Sequence, residues 1–244
     1  YIAAMRGHNV VLYERNDKLG GQLLLASVPP HKEDIGTFTD WLVSRVREAD
    51  VEVRTGIEAT PELIVKESPD SVIIATGASP LIPNVPGVDR ENVITSWDVL
   101  SGKASVGDLP IIIGGGMVGC ETAEFLSAMG KRVRIVEMLD SIAIDVDFRS
   151  RIFLLERLQK LGVEIFTKTK LEEISEEGIV VSKDCGKAVL KCDTVVLAVG
   201  AKPERKLIDA LRGKRKEVYS IGDCVSPRKI LEAIEEGFMI GAQL

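Results

Sequence analysis

The sequence predicts an α/β fold built from two copies of one strand–helix–strand unit. The segment RGHNVVLYE near the start recurs as MGKRVRIVE, and SVIIATGASP recurs as TVVLAVGAKP at the same spacing along the chain. Short β-branched runs alternate with helical patterns throughout. This alternation is typical of a parallel sheet with helices on its faces.

The elements of the first copy follow in order along the chain. Residues 1–6 have the pattern of the end of a helix that stops at Gly7, and VVLYE is a buried strand that ends at Glu14. The segment from residue 77 to residue 104 is rich in proline and has no clear periodicity, so we predict a connector there.

The second copy begins with the strand LPIIIGGG, continues into the crossover helix MVGCETAEFLSAMG, and returns as the strand RVRIVE. A second long helix, DFRSRIFLLERLQKLG, places four apolar residues at helical spacing, which we expect in the core: Ile152, Leu155, Leu158 and Leu161. Residues 170–193 are predicted to form an antiparallel meander. The strand EVYSIGDC and a final amphipathic helix then complete the first unit.

Both copies share the alternation of strands and helices, and the second has a glycine-rich loop, GGGMVG, between its first strand and its helix. We therefore predict two Rossmann-like dinucleotide-binding units, with the second inserted into the first. The first domain is expected to comprise residues 1–104 and 215–244, and the second residues 105–214. Counting back through the repeat places the opening strand and glycine loop of the first unit before Tyr1. We thus expect that unit to be incomplete at its N-terminus.

Composition and charge exclude several classes of function. The chain has 45% hydrophobic and 28% charged residues and a net charge of −6, which argues against a nucleic-acid surface. No apolar run approaches the length of a membrane span, and no signal peptide is apparent, so we expect a cytoplasmic protein without a membrane partner.

The cysteines and histidines do not have the spacing of a metal site. Cys120, Cys185, Cys192 and Cys224 form no C-x-x-C pair, and His8 and His31 lie far from any such cluster. We interpret the cysteines as reduced thiols. A dithiol relay between Cys185 and Cys192 is the alternative.

The segment IIIGGGMVGCE carries the pattern G-x-G-x-x-G at Gly114, Gly116 and Gly119. It follows a strand and opens a helix, and Glu137 ends the next strand. This context is the dinucleotide-binding fingerprint, with the pyrophosphate at the helix N-terminus and the acid on the adenosine ribose. Met117 and Val118 belong to the same loop. No arginine near Glu137 compensates a 2′-phosphate, so NADH is favoured over NADPH. The alternative is a glycine turn that binds nothing or a different nucleotide.

Several further motifs resemble one group of enzymes along the whole chain. YERNDKLGGQL, VIIATGASPLIP, VITSWDVLSGKA, IIIGGGMVGCETAEFL, VYSIGDC and RKILEAIEEG are similar to the flavin- and NADH-binding region of the NADH:flavin oxidoreductases fused to an old-yellow-enzyme barrel. That group includes 2,4-dienoyl-CoA reductase, enoate reductase, NADH oxidases and trimethylamine dehydrogenase. The resemblance implies a pyridine nucleotide-disulfide reductase-like fold.

The resemblance also implies cofactors and partners. FAD would occupy the first unit and NAD(H) the second, while an upstream TIM barrel would carry FMN and an iron–sulfur cluster. Glu121 would lie near the nicotinamide, and Gly200 would repeat the position of Gly77. The residues implied at the FAD are Glu14, Gly21, Gln22, Ala75, Thr76, Gly77, Gly222 and Asp223. Each has a simpler interpretation as a turn, strand end or cap, and no side chain is expected to be a catalytic base.

Three functional hypotheses remain open from the sequence. The first is an enzyme module that passes hydride from NADH to FAD, and electrons onward to a barrel that reduces an enoyl or enone substrate. The second is a scaffold that holds ADP, as the resemblance to trimethylamine dehydrogenase implies. The third is a free-standing NADH oxidase or ferredoxin-type reductase. An oligomer is possible in each case.

Overall fold

The computed structural model describes residues 1–184, 186–213 and 217–244. In these ranges helices alternate with short strands. The α-helices are α1 (Ile2–Met5), α2 (Gln22–Ala26), α3 (Glu33–Glu48), α4 (Pro61–Glu67), α5 (Ser96–Leu100), α6 (Met117–Ala128), α7 (Phe148–Lys160), α8 (Lys206–Leu211) and α9 (Ile230–Gln243), and a 3₁₀ turn covers Gly222–Cys224.

The strands are short. They are β1 (Val11–Glu14), β2 (Glu52–Thr55), β3 (Val72–Ile74), β4 (Ala78–Pro80), β5 (Val93–Thr95), β6 (Pro110–Ile113), β7 (Arg134–Val136), β8 (Glu164–Phe166), β9 (Thr169–Ile174), β10 (Ile179–Lys183), β11 (Gly186–Leu190), β12 (Thr194–Leu197), β13 (Ala201–Pro203) and β14 (Val218–Ser220). Within the described ranges, two groups of them, β3–β5 and β8–β13, follow one another without an intervening helix.

The chain divides into two compact units. Unit 1 comprises residues 1–24, 34–79 and 201–244, and unit 2 comprises residues 25–33 and 80–200. The domain boundaries and cofactor assignments made from the sequence stay predictions. The second of those boundaries, between residues 214 and 215, lies outside the described residues.

Unit 2 is built on a five-stranded sheet in the order β5-β12-β6-β7-β8. Every pairing in it is parallel, as the alternation of elements predicts. The central strands β6 and β12 are buried at every residue, which explains their uninterrupted β-branched sequences. Because β7 and β8 lie on one side of β6 and β12 lies on the other, the strand order reverses at β6.

The two faces of this sheet are covered differently, and the side-chain alternation along the strands separates them. Ile112, Ile135 and Val196 pack with α6 and α7 in one core. The neighbouring residues Ile111 and Val195 point to the other face, where they pack against the apolar residues of β9 and β10. The strands β9-β10-β11 form an antiparallel meander, as predicted, and β9 and β10 cover the second face.

Helix α7 corrects part of the predicted core. Leu158 is fully buried and Leu155 is partly buried, but Ile152 and Leu161 are 42% and 40% exposed. The helix instead turns Leu154 and Leu158, which are one turn apart, toward α6. The expectation that Ile152 and Leu161 belong to the core was wrong.

The predicted connector also contains regular structure. β5 pairs with β12 at the edge of the five-stranded sheet. Helix α5 follows directly and begins with a capping box, in which Thr95 and Asp98 exchange hydrogen bonds between side chains and backbone N–H groups. This part of the chain therefore contributes an edge strand to unit 2.

Unit 1 contains three strand pairs, β1-β2, β3-β14 and β4-β13. The first two pairs are parallel. Among the described residues, β1 and β3 each pair with a single strand, so each has one free edge. A small core of Ile64, Ile74, Leu211 and Cys224 lies beneath β3 and β14.

The described cysteines behave as packing residues. Cys120, Cys192 and Cys224 are free thiols. Burial raises the pKa of Cys120 to about 12 and that of Cys192 to about 11, so both thiols remain protonated at neutral pH. Cys185, the other member of the alternative dithiol relay, lies outside the described residues.

In the part of the chain that the structure covers, no helix is both long and apolar enough to cross a membrane. Over the same residues, no group of three or more histidine, cysteine, aspartate or glutamate side chains could hold a metal ion.

Candidate dinucleotide-binding site

The glycine loop joins β6 to α6 at the point where the strand order of unit 2 reverses. Gly114 has a φ of +105°, and a Cβ there would lie 2.4 Å from the carbonyl oxygen of Ala198. A Cβ at Gly119 would lie 2.0 Å from the carbonyl oxygen of Gly114. Both positions therefore require glycine, and ligands of open α/β sheets bind at such a point.

Glu137 follows β7 and is 8% exposed. Its Oε2 accepts the N–H of Gly115 at 2.6 Å, and its Oε1 accepts the N–H of Leu139 at 2.7 Å. The carboxylate thus connects the end of β7 to the glycine loop. Each oxygen has two lone pairs, so the carboxylate can still accept hydrogen bonds from a sugar hydroxyl.

The first turn of α6 offers donors to an anion. Among the described residues, the N–H groups of Gly116, Val118 and Gly119 have no hydrogen-bond partner. They lie at the positive end of the helix macrodipole. The residues present therefore fit the pyrophosphate and adenosine ribose of a dinucleotide.

Asp145 contacts the same helix end and was not identified from the sequence. Its Oδ1 and Oδ2 accept the N–H of Met117 at 2.9 and 3.1 Å. No motif marks this residue, because it lies in a loop after β7. Its position depends on how that loop folds back over the helix.

Glu121 lies within α6, and its side chain is almost entirely buried. It forms an ion pair of 2.6 Å with Nζ of Lys32. Burial raises the pKa of Glu121, and the Lys32 ammonium partly offsets that effect. Sequence reasoning identified Glu121 but not Lys32, since the two residues lie far apart in the chain.

Unit 1 brings together three of the residues expected at the flavin. Nε2 of Gln22 donates to Oδ2 of Asp223 at 3.1 Å, and a Cβ at Gly77 would lie 3.6 Å from the same Gln22 nitrogen. Oδ1 of Asp223 accepts the N–H of Arg228 at 3.0 Å. Residues from three distant parts of the sequence therefore form one polar cluster.

Glu236 of α9 supports this cluster and was missed by the sequence analysis. It accepts the N–H of Gly222 at 2.6 Å and pairs with the guanidinium of Arg228. The Gly222 N–H and then Arg228 lower the pKa of Glu236. Helical spacing could not single it out from the neighbouring acids Glu232 and Glu235.

The other predicted residues lie at the ends of elements. Glu14 ends β1, and its Oε1 accepts the backbone N–H and the side-chain amide of Asn16 at 2.8 and 2.7 Å. Thr76 donates its hydroxyl to the carbonyl oxygen of Glu204 at 2.8 Å. The described contacts do not join Glu14 to the Gln22–Asp223 cluster.

Three predicted glycine and alanine positions are exposed and lie outside helices and strands. Gly21 has a φ of +51° and immediately precedes α2. Ala75 directly follows β3. Gly200 has a φ of +109°, and its carbonyl oxygen accepts the N–H of Leu81 at 3.0 Å. The structure places these residues beside helices and strands, and their contacts with a cofactor stay predictions.

The fold and the loop together define a class of protein. A parallel sheet with a glycine loop and a buried acid at its switch point is the architecture of a dinucleotide-binding oxidoreductase. The family model of the pyridine nucleotide-disulphide oxidoreductases matches residues 1–237, so the chain belongs to that family.

Similar proteins include two curated enzymes and one solved structure. The chain is 42% identical over 248 residues to an NADH oxidase of Thermoanaerobacter brockii, covering 99% of this chain and 38% of that protein. It is 39% identical over 239 residues to a bilirubin reductase of Mediterraneibacter gnavus, covering 98% and 37%. A 2-naphthoyl-CoA reductase in complex with 2-naphthoyl-CoA aligns with a TM-score of 0.96 at 32% identity, covering 99% and 37%.

These comparisons confirm the resemblance to NADH oxidases and related reductases, the α/β fold class and the assignment to the oxidoreductases. The chain spans less than two fifths of the length of each of these relatives. The activity, substrate and partners of the whole protein are therefore matters for proposal.

Proposed function

We propose that this chain is an NADH-dependent flavin oxidoreductase module, in which unit 2 binds NADH and unit 1 binds FAD. The observation that carries the proposal is the link between Gly115 and Glu137, which fixes the glycine loop and the ribose acid as one site. That site lies at the switch point of the five-stranded sheet, where α6 begins.

In unit 2, the N–H groups of Gly116, Val118 and Gly119 bind the pyrophosphate of NADH. Glu137 accepts hydrogen bonds from the adenosine ribose hydroxyls. A 2′-phosphate would place negative charge against this buried carboxylate, and that repulsion disfavours NADPH. The site is therefore selective for NADH over NADPH.

In unit 1, Glu14 accepts from the adenosine ribose of FAD, and Asp223 accepts from the ribityl hydroxyls. Bound FAD supplies the two-electron acceptor that the side chains of this chain do not provide. Gln22, Arg228 and Glu236 hold Asp223 and Gly222 in place through the hydrogen bonds described above.

For the whole protein we propose an upstream barrel with FMN and an iron–sulfur cluster, which receives the electrons and reduces an enoyl or enone substrate. The length of the relatives supports this proposal. The relatives named NADH oxidase, bilirubin reductase and 2-naphthoyl-CoA reductase are all much longer than this chain.

The test is a fluorescence titration of the full chain with NADH and with NADPH. We expect saturable binding of NADH and binding of NADPH at least about tenfold weaker, because a charge facing a buried carboxylate is strongly disfavoured. Equal affinity for the two nucleotides would contradict the role of Glu137. Absence of binding to either nucleotide would contradict the proposed function.

A further inference from the structure

In unit 2, the loop after β7 packs against the glycine loop and is hydrogen-bonded to it. We call residues 141–146 the strap. The N–H of Ala143 donates to the carbonyl oxygen of Gly115 at 2.6 Å, and Ile142 and Ala143 are 4% and 0% exposed. Nε of Arg151 donates to the carbonyl oxygen of Ile142 at 3.0 Å. The backbone of the strap is therefore held by the glycine loop on one side and by Arg151 of α7 on the other.

This attachment fixes where the Asp145 carboxylate lies. Both of its oxygens contact the N–H of Met117, at 2.9 and 3.1 Å. A Cβ at Gly116 would lie 3.4 Å from Oδ2, so the carboxylate lies directly against the loop. An anionic group of the chain itself thus caps the first turn of α6.

The same turn is the place where the proposed function puts the pyrophosphate of NADH. A phosphate at a helix N-terminus uses the free N–H groups and the positive end of the macrodipole. The Asp145 carboxylate already occupies the adjacent N–H of Met117 and the positive end of the macrodipole, while, within the described residues, the N–H groups of Gly116, Val118 and Gly119 stay free. It also adds a negative charge beside the negative charges of the pyrophosphate.

We propose that Asp145 is a built-in competitor of the dinucleotide pyrophosphate, which caps α6 in the free protein and weakens the binding of NADH. The inference rests on the proposed function of unit 2. The side chain rotates away from Met117 when the nucleotide binds, while the strap keeps its backbone contacts with Gly115. Asp145 is thus a residue that sets nucleotide affinity.

The test uses Asp145→Asn in the full chain. Asparagine retains an acceptor for the N–H of Met117 but removes the charge, so the cap persists while the repulsion disappears. Asp140→Asn is the matched control, because Asp140 is exposed, lies in the same loop and changes the net charge equally. Dissociation constants are measured for NADH and for ADP-ribose, which carries the pyrophosphate without the nicotinamide.

We expect Asp145→Asn to tighten both ligands by about fivefold or more, since it removes a like charge at close range. Asp140→Asn should change either constant by less than about twofold, because an exposed charge is screened. Equal gains for NADH and ADP-ribose place the effect in the ADP-ribose part that the two ligands share, and not at the nicotinamide.

Three results would overturn the inference. If Asp145→Asn binds as wild type does, the inference fails while the proposed function stands. If it binds more weakly and the free protein also loses thermal stability, Asp145 is a structural cap. If neither wild type nor either variant binds NADH, the inference fails together with the proposed function. Asp145→Ala is measured alongside and should also bind more tightly, despite a less stable free protein.

Discussion

Among single residues, Gly119 has the strictest steric requirement in the nucleotide loop. The position that its Cβ would take is 2.0 Å from a backbone oxygen of Gly114, which cannot move without displacing β6 or α6. The same loop supplies the N–H groups that bind the pyrophosphate in our proposal. Stability and nucleotide binding therefore both depend on the close approach of Gly119 to the backbone of Gly114.

Gly119→Ala is expected to lower the free energy of unfolding by about 2 kcal/mol or more, as overpacking a rigid site does, and to weaken NADH binding. The measurement is urea unfolding together with the NADH titration. Gly237→Ala is the control, because nothing lies within 4 Å of its Cβ position inside α9. There alanine should be neutral or stabilise the helix by up to about 1 kcal/mol. A Gly119→Ala variant as stable as wild type would contradict the steric argument.

The ion pair between Lys32 and Glu121 is expected to make the stability of the fold depend on pH. Burial raises the pKa of Glu121 above its ordinary value of 4.5, so this group favours folding most at low pH, and its contribution is lost as the pH rises. Removing Lys32 leaves the buried carboxylate without its cation and raises the Glu121 pKa further. Lys32→Met should therefore destabilise the protein by about 1 kcal/mol more at pH 8 than at pH 5.

The control for Lys32 is Lys131→Met. Lys131 pairs with Asp108, whose side chain is 88% exposed and whose pKa is lowered by that pair. Asp108 is ionised at both pH values, so a small and equal loss is expected at pH 5 and pH 8. A loss for Lys32→Met that does not depend on pH would show that Glu121 is not the group responsible.

Local residue patterns could be predicted from the sequence, whereas contacts between distant residues could not. The glycine loop and Glu137 follow from spacing within one strand–helix–strand segment. Lys32 and Asp145 lie in loops without a motif, and their contacts with α6 arise only when those loops fold back. Sequence analysis cannot detect such contacts, because no periodicity or turn signal encodes them.

Helix α7 shows, for a whole element, that local pattern is predictable from the sequence whereas packing against distant residues is not. Its position and its approximate length were predictable from the apolar spacing, but the choice of buried face was not. Leu154 and Leu158 face α6, while Ile152 is 42% exposed. Leucine and isoleucine occur on several sides of this helix, so composition alone could not decide which side contacts the core.

A pair of substitutions in α7 tests the buried face. Leu158→Ala should cost about 2–5 kcal/mol of unfolding free energy, since it opens a cavity at a fully buried position. Ile152→Ala should cost less than about 1 kcal/mol, because the side chain already contacts water. Chemical unfolding of both variants gives the comparison. Similar losses at the two positions would contradict the packing described here.

The edge strand β5 was missed for a related reason. It has three residues, Val93–Thr95, inside a proline-rich segment, and so short a run gives no period to recognise. Its place in the sheet depends on pairing with β12, far along the chain. By contrast, the meander β9-β10-β11 could be predicted because its strands are consecutive and pair with their neighbours in sequence.

For the whole molecule, the internal repeat was the most informative feature of the sequence. It predicted two related α/β units before any element was assigned, and the structure divides into two compact units. Unit 2 holds a glycine loop, whereas the described residues of unit 1 hold no counterpart of it. Our proposal that the whole protein extends beyond this chain is supported by the length of its relatives, of which the chain covers less than two fifths.

The most direct test of the central claim is the identity of the nucleotide that the whole protein carries. The protein is purified, its visible spectrum is recorded without air before and after NADH is added, and the released cofactors are identified after denaturation. Our account predicts that FAD is released and that NADH bleaches its absorption. Release of ADP in place of FAD, or a flavin that NADH does not reduce, would contradict it and favour a nucleotide-binding scaffold.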